Sequence, residues 1–292
     1  MGCSETRQLV RATRAEAYVA HKQVDLKIHT VPCEKAITIL KKYSKNGSLT
    51  ITTFARSLSE LGLISLKDNK VDKDRLKSSK SWTKFYGCLT DYRDNTGETF
   101  NTLNVIMCFI LLSNGTEQEK VALLYENLDW QCKGYVHKKM VRLFIKNFCV
   151  VSGEILPYFA EDILDESIKL REMKEMWAWA VERMPDSLTT KIIRERVSLN
   201  KEEFVKTFLD GKYKYLLNTV LLRRKMVETY AEEYEKAKKL TSVKPRLSVY
   251  YEQDPPAAAV VMMGQKLEEE KNAEQGLIEA ADYNDVPVVL HK

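Results

Sequence analysis

The residues with the most specific chemical spacing in this chain are its first six. Met1-Gly2-Cys3-Ser4-Glu5-Thr6 fits the N-myristoylation pattern, with Gly2 as acceptor and Thr6 at the favoured hydroxyl position. Cys3 stands where a second, palmitoyl chain is commonly added. One acyl chain binds a membrane only marginally, and a second chain or a basic segment makes the anchor stable. Cys3 offers the one, and Arg7, Arg11, Arg14 and Lys22 offer the other. A chance Met-Gly start is the competing reading, because glycine makes up about 7% of average sequence.

Elsewhere the reactive side chains are scattered. His21, His29, His137 and His291 lie apart from one another. Cys3, Cys33, Cys88, Cys108, Cys132 and Cys149 form no CxxC pair and have no histidine at ligand spacing. Zinc is therefore not expected, and the pattern fits free thiols in a reducing compartment. Cys132, beside Lys133, is either a plain thiol or one with a depressed pKa. The phosphate-cradling, dinucleotide and nucleophile-elbow motifs are all missing. Acidic pairs such as Glu161-Asp162 and Glu202-Glu203 read as solvated helix faces. No residue is assigned a catalytic role and no cofactor is expected. What remains is a set of isolated oxygen donors, Asp91, Asp94, Asp129 and Glu203, as weak residual candidates for calcium or magnesium.

The elements that must position them are helical. A content of 44% hydrophobic and 30% charged residues is ordinary for a globular protein, and eleven glycines and seven prolines are few for 292 residues. Residues 7–28 read as a helix with Leu9, Ala12, Ala15 and Val19 on one side. Ala36, Ile39, Leu40 and Tyr43 fall at helical spacing, as do Phe54, Leu58 and Leu61 after the loop around Gly47. Val121, Leu124, Tyr125 and Leu128 lead through Asp129 to Val136 into Val141, Phe144, Ile145 and Phe148. Helix, loop with a central glycine, β-type residue, helix: the unit occurs at least twice. It recurs more weakly at 197–208, before a longer helix from about Tyr213 to Leu240. Met173, Met176, Trp177, Trp179 and Met184 form an apolar cluster, read as core packing or as a partner groove. The most apolar run, Val105 to Leu112, is too short to cross a bilayer.

Charge is uneven. Residues 1–50 hold nine Lys/Arg against four Asp/Glu, and residues 251–292 hold three against nine, giving +5 and −6. A basic head and an acidic tail suggest interaction segments, with solvated termini as the alternative. Neither end has the clustered cations and interleaved aromatics that nucleic acid would require.

From Val31 to Gly211 the sequence resembles the EF-hand superfamily, in the four-hand arrangement of calcineurin B, neuronal calcium sensors and calaxin-like proteins. The stretch LSNGTEQEKVALLYENLDWQCKGYVHKKMVRLF carries most of the resemblance. It implies an all-α fold: a basic N-terminal segment at 1–30, paired units at 31–112 and 113–211, a C-terminal helix at 212–244 and an extended tail at 245–292. The family's calcium loops need six to eight oxygens, mostly carboxylates, with a bidentate Glu at the twelfth position. Here the third hand keeps Asp129 and Gly134 but has Gln131, Lys133 and Met140 where ligands belong. The first has Lys42, Ser44, Asn46 and Thr53. The fourth has Ile192, Arg194 and Arg196 before Glu203. The second has Asp91 and Asp94, with Thr102 or Leu103 in the place of the Glu. The expectation is a non-catalytic adaptor that does not bind calcium tightly, holding a partner helix in a groove or sitting in a cytoskeletal assembly. The calaxin-like resemblance implies a ciliary or microtubule setting. An acylated peripheral membrane adaptor and a weak calcium sensor are the alternatives.

Overall fold

Two glycine-centred loops end in strands only three residues long, and each strand finds its partner in a loop far along the chain. The computed structural model describes residues 3–64, 80–89, 99–161 and 170–240, with the side chains of the first helix described from Arg14 onward. Helix α1 (Cys3–Val24) is followed by α2 (Cys33–Tyr43), β1 (Ser48–Thr50) and α3 (Ile51–Glu60). Next come α4 (Lys80–Cys88), β2 (Thr99–Asn101) and α5 (Thr102–Leu112). Then α6 (Glu117–Leu128), β3 (Tyr135–His137) and α7 (Lys138–Val150) repeat the helix–strand–helix order. A π-helical turn (Val151–Ile155) joins α7 to the short α8 (Leu156–Ala160). The long α9 (Leu170–Ile193), β4 (Ser198–Asn200) and α10 (Lys201–Leu209) make the fourth unit, and α11 (Thr219–Leu240) follows. The described residues are thus mainly helical, with two small two-stranded sheets.

β1 pairs antiparallel with β2, with Leu49 opposite Phe100. β3 pairs antiparallel with β4, with Val136 opposite Leu199. All four central residues are buried, while their neighbours face outward. Gly47 and Gly134 sit just before their strands at φ +76° and +79°, a backbone conformation that a Cβ disfavours. At the far end of three strands a side chain caps the next helix: Thr50 accepts from Thr53 N, Asn101 from Asn104 N and Asn200 from Glu203 N.

Helix α5 is buried along Val105 to Leu112, as expected of a helix that is apolar on all sides. It packs against α2, α6 and α7. Phe54, Tyr86, Phe100 and Phe109 interlock around the first ribbon; Tyr125, Phe144, Phe148, Phe204 and Phe208 do so around the second. The positions Ala36, Ile39, Leu40, Phe54, Leu58, Val121, Leu124, Leu128, Val141, Phe144, Ile145 and Phe148 are all in this core.

Helices α1 and α11 lie against each other, with α1 also on α8 and α11 also on α9. Ala15 and Val19 are buried on the α1 side, and Leu222, Met226, Tyr230 and Tyr234 repeat every fourth residue along α11. The close crossing depends on Gly153: a Cβ there would stand 2.7 Å from Val181 Cγ2 and 3.3 Å from Met226 Sδ. The continuous stretch Lys138–Ala160 is long and apolar enough to cross a membrane by composition, but 78% of its most apolar window is buried inside the protein. It therefore has the character of a core helix.

Candidate functional site

The loop ends of the two ribbons are where the sequence places its metal candidates. Asp91 and Asp94 lie outside the described residues. The ribbon register fixes the residue at the start of each exiting helix. Thr102 N donates to Gly47 O across the first ribbon at 3.0 Å, and Lys138 N donates to Val197 O across the second at 2.8 Å. Counting from the buried central residue of each strand, Asn104 is the equivalent of Thr53, Met140 and Glu203. The expectation of Thr102 or Leu103 at that position is corrected to Asn104. Slipping the strand by one residue would turn Phe100 outward, which the buried ribbon face forbids.

Asp129 and Glu203 are both engaged within their own loops. The Asp129 carboxylate accepts from Lys133 N and Gly134 N, each at 2.8 Å. Glu203 accepts from Asn200 N in a reciprocal capping box and from Arg196 Nη1 at 2.8 Å. At the first loop, Lys42 Nζ and the Tyr43 hydroxyl both donate to the Glu60 carboxylate, at 2.8–2.9 Å and 2.7 Å. The Lys42 bond holds the Glu60 carboxyl below its ordinary pKa. Among the described residues, no three His, Cys, Asp or Glu side chains converge as a metal site would need.

The Met/Trp cluster of α9 packs within the protein. Met173, Met176, Trp177 and Met184 are buried, and α11 lies along α9 over them. The chain's own C-terminal helix therefore covers the face that the sequence left open as a partner groove. Arg223 of α11 is 0% exposed there, with one bond to Ser152 O at 3.2 Å and its guanidinium 5.7 Å from the Trp177 ring centre. Its neighbour Arg224 binds Glu16, itself 1% exposed, at 2.8 Å. Burial pushes the Arg223 pKa down to about 10 and the Glu16 pKa up.

The second ribbon also presents an apolar, cationic face that sequence reasoning missed. Trp130 is 69% exposed and Val197 70%, and Tyr135 is exposed as well. Together with Met140 they line a cleft of about 400 Å³, rimmed by Lys133, Lys138 and Lys139. Of the five large hydrophobic residues exposed among those described, three are on this face. The one signal in the sequence was an apolar residue, Val197, directly before its strand, where the first and third loops carry Gly47 and Gly134.

Gly2 lies outside the described residues, and Cys3 opens α1 without a described side chain. Of the five described cysteines only Cys132 is exposed, in a loop turn at φ +52°. Burial pushes the Cys33 thiol up to about 11 and Cys88 to about 12, and raises Cys108 and Cys149 as well. Reactivity follows thiolate character and exposure. Timed labelling of the native protein with an aromatic disulfide, read by peptide mapping, is expected to modify Cys132 first among these five. Equal modification of Cys108 would contradict the packing described.

No family model matches the chain, and no curated protein matches it either.

Proposed function

We propose that this chain is a non-catalytic adaptor built on two EF-hand-like pairs whose loops have lost the capacity for tight calcium binding. The observation that carries this reading is the matched pair of ribbons. Each joins two helix–strand–helix units in the same register, with a buried central pair and an equivalent cross-ribbon bond. Positions that would supply anionic oxygens are instead occupied by Lys133 and Met140 in one loop and by Arg194 and Arg196 in its partner. An ammonium repels the ion, and a thioether replaces the clamp that a bidentate carboxylate would make. The carboxylates that remain, Asp129 and Glu203, serve the loops themselves.

Without a calcium switch the pairs act as a fixed scaffold, holding surfaces for partner proteins within a larger assembly. The calaxin-like resemblance of the sequence supports a cytoskeletal assembly, in the setting of the ciliary axoneme. Calorimetric titration with calcium, at physiological magnesium, is expected to show no heat and no change in melting temperature up to millimolar ion. Micromolar binding would overturn the scaffold reading and make the protein a sensor.

A further inference from the structure

We propose that the acidic C-terminal segment 251–292 docks on the cleft of the second ribbon, covering Trp130, Tyr135 and Val197. The cleft offers two complementary features at one place. Its floor and wall are apolar, formed by Trp130, Tyr135, Met140 and Val197, and its rim carries the ammonium groups of Lys133, Lys138 and Lys139. Among the described residues none of these three lysines pairs with a carboxylate. The one carboxylate in the cleft, Asp129, is already held by two backbone N–H groups. A partner for this face must bring apolar side chains and negative charge together.

The chain contains such a segment. Residues 251–292 carry nine Asp/Glu against three Lys/Arg, and they alternate this charge with apolar stretches. Val260, Val261, Met262 and Met263 stand just before Leu267 and the Glu268-Glu269-Glu270 run. Leu277 and Ile278 stand between Glu274 and Glu279. The other long segment outside the described residues, 65–79, has the wrong sign: five Lys/Arg against three Asp/Glu. Segments 90–98 and 162–169 are short and anchored at both ends.

Reach permits the contact. From Leu240 to Glu268 is 28 residues, which extended at about 3.3 Å each span roughly 90 Å. A body of about 200 residues has a radius of gyration near 17 Å, so every face is within range and selection falls to chemistry. Pairs between a solvated rim and a solvated segment are individually weak and screened within about 8 Å at physiological salt. Several acting together, with Trp130 desolvated beneath them, make the site.

Zero-length carbodiimide cross-linking of the full chain tests this directly. An equal mixture of ¹⁴N- and ¹⁵N-labelled protein separates links within a molecule from links between molecules. The expected result is intramolecular links from Lys133, Lys138 or Lys139 to Glu268, Glu269, Glu270, Glu274 or Glu279, lost at high salt. A full-length variant carrying Glu268→Gln, Glu269→Gln, Glu270→Gln and Glu274→Gln should lose the links to those positions. It should also show greater acrylamide quenching of Trp130, since Trp82 and Trp177 are buried and the half-buried Trp179 is covered by the Arg183 guanidinium and packs on Tyr234. Tail links that fall on other lysines overturn the proposal. So do isotopically mixed links alone, which would make the occupant a second copy, and so does unchanged quenching in the variant.

Discussion

The triple exchange Gln131→Asp, Lys133→Asp and Met140→Glu is expected to give the third loop calcium affinity of about 10 µM or tighter, the sensor range of intact loops. The unaltered protein should show none at millimolar ion, so the gain is at least about 100-fold. The loop has a standing frame and lacks only donors. Asp129 already occupies the loop's first position, Gly134 makes the turn at positive φ, and β3 is held by β4. Three substitutions then supply two side-chain carboxylates and the bidentate clamp. Lys133→Asp also removes the cation facing the ion. Asp129 must exchange its backbone bonds for metal ligation, and Met140 leaves a partly buried contact with the core, so the apparent affinity lies toward the weak end of that range. Calorimetry would measure it, with Trp130, next to Asp129 in the chain, as a fluorescent reporter. A folded variant that takes up no calcium would show that the loop lacks the geometry, and with it the EF-hand-like reading.

The same loops show how far the sequence speaks for itself. Helical periodicity announced α2, α3, α6 and α7, because their apolar residues face one core and little else competes for them. Gly47 and Gly134 marked two of the loops for a local reason: each takes a left-handed conformation just before its strand. The second unit misled by one or two residues. Gly97 lies two positions ahead of β2, whereas Gly47 and Gly134 each lie one position ahead of theirs. There the register is set by Phe100 turning inward opposite Leu49, a pairing across 51 residues that no local pattern records. In the fourth unit Val197 replaces the glycine, and the entering helix α9 contains Pro185, which ordinarily interrupts a helix. Thr189 Oγ1 donates to Pro185 O at 2.6 Å within that helix. Exposure was equally invisible. Trp130 reads as a core residue by type, and only the position of the two ribbon loops leaves it in solvent.

Arg223 is the case in which composition misleads most, and it gives the second large effect. An Arg-Arg pair in a charged helix suggests two solvated cations, yet Arg223 is enclosed between α11, Trp177 and the π-helical turn. Its Nε and Nη2, and the Glu16 Oε1 nearby, find no partner among the described residues. The sign of its contribution follows from the depressed pKa. A base that is harder to charge in the fold than in the unfolded chain weighs against folding at neutral pH, and the penalty lifts as pH rises past about 10. Replacing a poorly satisfied buried ion by an apolar side chain of similar volume is neutral or stabilising by about 1–4 kcal/mol. Arg223→Met should therefore unfold at equal or higher denaturant concentration, with Glu16 still paired to Arg224 at 2.8 Å. Arg223→Ala keeps none of that volume. It opens a void beside Trp177 and Ser152 and removes one of the two cations acting on Glu16, at an expected cost of about 3–5 kcal/mol. The opposite order, with the methionine variant the less stable of the two in urea unfolding, would show that the guanidinium holds α11 in place through its charge. In that event the desolvation argument fails, and the polar contact to Ser152 O is what fastens the C-terminal helix.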